Sequence, residues 1–392
     1  MAETKVYRNR NFQIICGASL MGMMMAAVIT PAFPTIVEAL GISEQSIGLL
    51  ISVFTLPNLL LVPLTGMMAD RFGRKKLIVP SLFLFGIFGG ACALAPDFKT
   101  LLILRGLQGI GAAPLLPVSF AIIGDLFSGQ KRAEAMGFNT TVMYMGYVIY
   151  PLIGGALAGL AWNYAFLPFL TAIPVGIIAL VSLHPPEPNS KERLKDYLRN
   201  ALSYLRGWKV LWLFSATVIT YIILFGAYLT YFSIFLEDRF GASPFTIGLF
   251  LSIIGLFTAG VSSQLGRFSK RFSVVSLIIG AFVIYTVAMA IMPLAPNLWF
   301  CLLPTILFSI AHGLNLPSLN VIAAGIAPFE HRAAFMAMQN TMIPLGMTIG
   351  PLIMGLTFSF TGLNGTFLIA ALIALIIPIM AAIIGKGKLS TG

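Results

Sequence analysis

Between two long apolar runs the chain reads Gly66-Met67-Met68-Ala69-Asp70-Arg71-Phe72-Gly73-Arg74-Lys75-Lys76. Five charges fall in these eleven residues, whereas the flanking runs, 46–68 and 77–96, hold none. About 20 mainly apolar residues cross the hydrocarbon layer of a membrane. The stretch therefore reads as a short charged turn joining two spanning helices. Working outward in both directions, charge clusters separate twelve such runs: 11–37, 46–68, 77–96, 100–122, 136–160, 163–183, 209–235, 244–266, 273–295, 297–322, 335–360 and 363–385. The first run is full length and contains Pro31 and Pro34, so a retained span is expected rather than a cleaved signal.

Composition agrees. Of 392 residues, 58% are hydrophobic and 9% charged, with a mean hydropathy of +0.95. Soluble domains carry about 25% charged residues, so a soluble enzyme is excluded, and disorder requires the opposite composition. The net charge of +11 is explained by where it sits. Lys5, Arg8, Arg10, Arg71, Arg74, Lys75, Lys76, Lys131, Arg132, Lys191, Arg193, Lys195, Arg199, Arg206, Lys209, Arg267, Lys270, Arg271, Arg332, Lys386 and Lys388 all fall on one side. The other side keeps Lys99 and Arg239. The positive-inside rule makes the basic side cytoplasmic, with both termini on it, in the cell membrane. Contact with anionic lipid headgroups is expected of such loops, and nucleic acid binding is not.

The segment 184–208 opens with Pro185, Pro186 and Pro188 and then turns charged. It reads as a cytoplasmic linker between six-helix bundles at 1–183 and 209–392. The halves echo each other: Arg132-Ala133 and Met136 recur as Arg332-Ala333 and Met336, Pro117 as Pro317, and Pro151-Leu152-Ile153 as Pro351-Leu352-Ile353. The expected fold is therefore an all-α polytopic membrane protein of twelve transmembrane helices in two repeated halves. Repeats of this kind mark secondary transporters, whose substrate site lies between the halves. No G-x-x-x-x-G-K-[ST] phosphate loop is present. No Cys/His spacing suits a metal, and Cys16, Cys92 and Cys301 each stand alone in an apolar run. No catalytic constellation, cofactor or metal is expected.

With glycine, acid and basic positions all in place, Gly66 to Lys76 resembles the signature loop of the major facilitator superfamily. The resemblance implies that Gly66, Asp70, Arg71, Gly73 and Arg74 form a cytoplasmic latch, broken on switching, in which Asp70 meets a basic residue or a helix N-terminus of the other half. Leu104-Arg105-Gly106-Leu107-Gln108-Gly109-Ile110-Gly111-Ala112-Ala113-Pro114 is similar to a second motif of the drug:proton antiporter branch. Arg105 is the only Lys or Arg in the interior of an expected span, and intramembrane charges are functional candidates. Gly146-Tyr147-Val148-Ile149-Tyr150-Pro151-Leu152-Ile153-Gly154-Gly155-Ala156-Leu157 is similar to the exporters' antiporter motif, with Tyr150 in place of one glycine. Gly350-Pro351 and Gly355 repeat it in the other half, with Met354 in place of a glycine. Pro151, Gly154, Gly155, Gly350 and Pro351 are expected at helix bends.

Proton coupling normally needs a titratable group within the membrane, yet no carboxylate falls mid-span. Asp125, at the inner end of the fourth span, is the acid expected to be best screened from water, and His312 lies near the middle of the tenth. Coupling is expected to use Asp125 or His312 together with Arg105. The family geometry places spans 1, 4, 7 and 10 around a cavity, with Gln108, Asn139, Tyr144, Tyr147, Tyr228, Asn315 and Gln339 as its polar candidates. The expected activity is proton-coupled efflux of small hydrophobic or amphipathic compounds by a monomer. A carrier for an organic anion held by Arg105, and a non-transporting sensor or scaffold, are the alternatives.

Overall fold

The computed structural model describes residues 6–186, 207–326 and 332–385, with the side chains of 332–334 and 337 left out. Most of the expected linker, and the loop positions Lys5, Lys191, Arg193, Lys195, Arg199, Arg206, Lys386 and Lys388, lie outside the described residues.

The described chain is helical and contains no strand. Ten apolar helical segments follow the expected runs: Arg10–Leu40, Glu44–Phe72, Arg74–Leu94, Phe98–Leu126, Gly129–Ala158, Trp162–Ser182, Trp208–Phe240, Pro244–Ser263, Val274–Leu294 and Leu298–Ile326. They are spans 1 to 10. The last helix, Arg332–Ile384, is broken at Gly362, where φ 65° and ψ −170° are open only to glycine. Its apolar part, Met338–Ile384, would be about 70 Å long if straight, more than twice the hydrocarbon thickness. Gly362 therefore separates span 11 (332–361) from span 12 (363–384), and the count of twelve stands.

The duplication is deeper than the sequence motifs indicated. Span 1 ends on Gly41 at φ 58° and span 7 on Gly241 at φ 62°, and Ser43 and Ser243 precede the next helices. Asp97 caps span 4 by accepting from Thr100 N–H at 2.8 Å, and Asn297 caps span 10 by accepting from Phe300 N–H at 3.0 Å. Each pair is 200 residues apart. Backbone geometry has kept the repeat where side chains have drifted. Asp97 lies outside the spans, and the Thr100 N–H holds its carboxyl below the usual carboxylate range.

Span 1 is not one straight helix. Its α-helical ladder stops at Ala27, and a 3₁₀ turn over Thr30–Ala32 carries the chain into Phe33–Leu40. Pro31 and Pro34 each lack an N–H, which removes the donors that would continue the ladder. The Ile29 N–H turns to Ala26 O at 3.1 Å, leaving the Met25 carbonyl without its helical donor. Span 7 carries a π-helical segment over Ile222–Tyr231, in which Thr230 Oγ1 donates to Phe225 O at 2.7 Å. Such departures from α geometry recur at functional sites.

Candidate functional site

The face bearing Arg10, Arg74, Arg132 and Arg267 is called the basic face here, and the opposite one the far face. On the far-face side of the midplane the two halves touch backbone to backbone. A methyl group added to Gly48 in span 2 would stand 2.9 Å from Pro351 Cβ in span 11. Gly248 in span 8 meets the Pro151 carbonyl of span 5, and Gly155 meets that of Pro244. Ser52 Oγ donates to Thr348 O at 2.8 Å, and the Thr55 and Thr348 hydroxyls pair at 2.9 Å. Toward the basic face these contacts cease. Gly66, Gly137, Gly260 and Gly266 meet no other element within 4 Å among the described residues. Thr140, Thr141 and Phe138 of span 5 are exposed, whereas Gly146, Tyr150 and Gly154 further along it are buried.

Between the halves lies a pocket built from spans 1, 5, 7, 8 and 10. Met23, Met25, Tyr144, Tyr147, Phe225 and Ile254 supply most of its wall, and Thr258 and His312 supply polar atoms. Met side chains repack readily around varied shapes, and the Tyr144 and Tyr147 rings lie 6.4 Å apart. The π segment of span 7 delivers Leu224, Phe225 and Leu229 to the same wall.

Of the polar cavity candidates, Tyr144 and Tyr147 line this pocket, as does the coupling candidate His312. The other five candidates do not: each is buried and engaged with another side chain. Asn315 Nδ2 donates to Thr220 Oγ1 at 2.7 Å, and Gln339 Nε2 to Thr217 Oγ1 at 2.6 Å, both tying neighbours to span 7. Asn139 is buried against Met143 Sδ. Tyr228 donates to Thr305 Oγ1 at 2.7 Å and lies between the Phe232 and Phe308 rings, 4.6 and 4.2 Å away. Gln108 accepts from Arg105.

Arg105 is 0% exposed and does not reach the pocket. Nη2 donates to the Met25 carbonyl at 2.9 Å, Nε to the Leu50 carbonyl at 3.2 Å and Nη1 to Gln108 Oε1 at 2.5 Å. The guanidinium lies 4.2 Å from the Phe54 ring centre. One side chain thus joins spans 1, 2 and 4, and one of its acceptors is the carbonyl that the break in span 1 exposes. A planar fork of fixed donors suits this geometry.

Asp125 is not screened from water as expected. It sits at the end of span 4 with 30% of its side chain exposed, where Arg74 Nε pairs with it. Arg74 also reaches Asp70 at 3.2 Å. The two acids and the arginine form a cluster at the basic face, wholly within the first half, and Arg71 points away over Phe72. The expected contact of Asp70 with the other half is not made in this conformation. Arg105, Asp125 and His312 stand in three separate places. The helices of spans 5 and 11 run without interruption through Pro151 and Pro351. Their glycines and prolines form close contacts: Gly154 packs on Val28 at the break in span 1, and Gly350 lies 2.9 Å from Ile222 Cα by its added-methyl position.

Twelve helices in repeated halves around a central pocket define a membrane carrier. The model of the Major Facilitator Superfamily matches residues 15–273 and 231–388, and the chain belongs to that family. It is 25% identical over 338 residues to the quinolone resistance protein NorA of Staphylococcus aureus (strain COL), covering 84% of this chain and 85% of that one. It is 26% identical over 360 residues to multidrug resistance protein 1 of Bacillus subtilis (strain 168), covering 90% of each. Among solved structures, a bacterial homologue of the human lysosomal transporter Spinster, inward-facing and occupied, aligns with a TM-score of 0.80 at 18% identity over 98% of this chain and 99% of that one. The nucleoside transporter NupG aligns at 0.81 and 14% identity over 96% of this chain and 100% of that one. Both structures support the fold.

Proposed function

We propose that this chain is a proton-driven exporter of small hydrophobic or amphipathic compounds, working by alternating access as a monomer in the cell membrane. The basic face is taken as cytoplasmic, with both termini on it. The observation that carries the reading is the asymmetry between the two faces. The halves are joined by backbone contacts on the far-face side and stand apart toward the basic face, so the aromatic and methionine pocket between them is poised to load from the cytoplasm. The multidrug and quinolone resistance proteins among its relatives support the substrate class.

Within this reading, Arg74 with Asp70 and Asp125 is the switch at the cytoplasmic side, free to re-pair when the basic ends approach. Arg105 fixes the broken first span against spans 2 and 4 rather than handling substrate, which leaves the organic anion reading without its anchor. His312 becomes the proton site of choice, because it is the one imidazole among the described residues lining the pocket.

The test is substrate-induced proton movement in proteoliposomes. The parent protein is expected to exchange protons for a transported dye. His312→Ala is expected to abolish the exchange, and Asp125→Asn to slow it. Normal movement in both single variants and in the double variant sinks the coupling scheme. A susceptibility screen with and without the protein identifies the compounds exported.

A further inference from the structure

The pocket contains no charge among its described lining residues. That is a specific chemical condition, because an organic cation entering an apolar site loses its hydration and needs a carboxylate or several aligned carbonyls in return. Aromatic faces compensate in part, and Tyr144, Tyr147 and Phe225 offer them. A ring quadrupole recovers only a fraction of what full dehydration removes, so the net balance is against a fixed positive charge.

His312 pushes the balance further. It is 6% exposed, and its Nδ1 lies 2.6 Å from the Tyr285 hydroxyl. Of this pair the phenol is the stronger hydrogen-bond donor and the imidazole nitrogen the stronger acceptor, so Tyr285 donates to His312 Nδ1. The neutral imidazole keeps its remaining proton on Nε2, which has no protein partner among the described residues and belongs to a side chain lining the pocket. The wall thus presents a hydrogen-bond donor, and a protonated imidazole would donate from the same atom.

We infer that the pocket selects by charge: it takes neutral or anionic aromatic amphiphiles, holds an acceptor atom of the ligand on His312 Nε2–H, and rejects permanent cations. The inference rests on the reading above that this pocket is the transport site. It also makes Tyr285 a positioning residue, which acts by fixing the His312 tautomer.

The test measures binding to the full chain in nanodiscs, net of empty nanodiscs, with three aromatic probes of similar size. These are anilinonaphthalene sulfonate (anionic, with acceptors), N-phenyl naphthylamine (neutral, without a strong acceptor) and ethidium (a permanent cation). Both naphthalene probes are expected to bind at least about tenfold more tightly than ethidium. His312→Leu is expected to weaken the sulfonate about tenfold and leave the naphthylamine unchanged, which also reports an intact pocket. His312→Gln, which keeps an N–H near the same place, is expected to restore the sulfonate. His312→Glu is expected to invert the order by supplying a counter-charge for ethidium. Ethidium binding as tight as the sulfonate overturns the inference, and so does unchanged sulfonate binding in His312→Leu. If the probes bind in the expected order yet none is moved by proteoliposomes, the exporter reading falls while the selectivity of the pocket stands.

Discussion

Gly248 of span 8 lies directly against the carbonyl of Pro151 in span 5, and the same contact recurs 200 residues away between Gly48 of span 2 and Pro351 of span 11. No side chain fits at either glycine without displacing backbone. Gly248→Val is therefore expected to block closure of the far-face contacts and lower transport at least about tenfold at normal membrane abundance, since packed interfaces resist even small volumes. Full transport by the valine variant would show that this contact is not needed.

Removing Arg105 leaves three acceptors in the membrane interior without their donor. Arg105→Ala is expected to destabilise the detergent-purified protein by about 3 kcal/mol, because hydrogen bonds to charged groups are the strong ones. Arg105→Lys is expected to recover little, since an ammonium cannot span Met25 O, Leu50 O and Gln108 Oε1 together. Thermal unfolding decides it, and an unchanged melting temperature in Arg105→Ala would refute the bridging role.

Arg74 presents the opposite case. Its partners Asp70 and Asp125 have side chains 27% and 30% exposed, so solvent screens the pairs. Arg74→Ala is expected to change stability by less than about 1 kcal/mol while slowing transport severalfold, because the cluster acts on the transition between states. Unfolding and initial transport rates, measured on the same preparation, separate the two effects.

The twin caps of spans 4 and 10 differ in one atom type, and pH should tell them apart. Asn297→Ala is expected to cost about 1 kcal/mol at any pH. The Asp97 carboxyl is held below its usual range, so its contribution is fully present above that range and disappears as pH falls through the lowered folded value. Asp97→Asn keeps the cap and should remove this acid sensitivity from the melting curve. An unchanged curve in the variant would assign the sensitivity to other groups.

The architecture was legible because run length and loop charge are one-dimensional signals, and even the turn at Gly362 falls between two expected runs. The pocket was legible only in part. Tyr144, Tyr147 and His312 could be singled out as polar groups in apolar helices, but so could Asn139, Asn315 and Gln339. Only the helix face separates the first set, at the pocket, from the second, at helix contacts. The π segment of span 7 left no composition signal and rotates Phe225 and Leu229 to the wall. Arg105 misled for a physical reason: its partners are main-chain carbonyls, which no residue pattern displays. Pro31 and Pro34, beside the break that frees the Met25 carbonyl, were visible, and a break beside a buried arginine was the clue available.

The glycine–proline contacts have a bearing on energetics that their geometry alone does not state. They consist of main-chain and ring atoms, with no ionisable group in them. Ionic strength and acidity at the far face act only at the margin of these contacts, where Glu44 of the first half lies near Glu237 and Asp238 of the second, so the contacts themselves behave as a mechanical stop rather than a chemical lock. In the proposed exporter, parting the glycine–proline contacts falls to what the chamber holds.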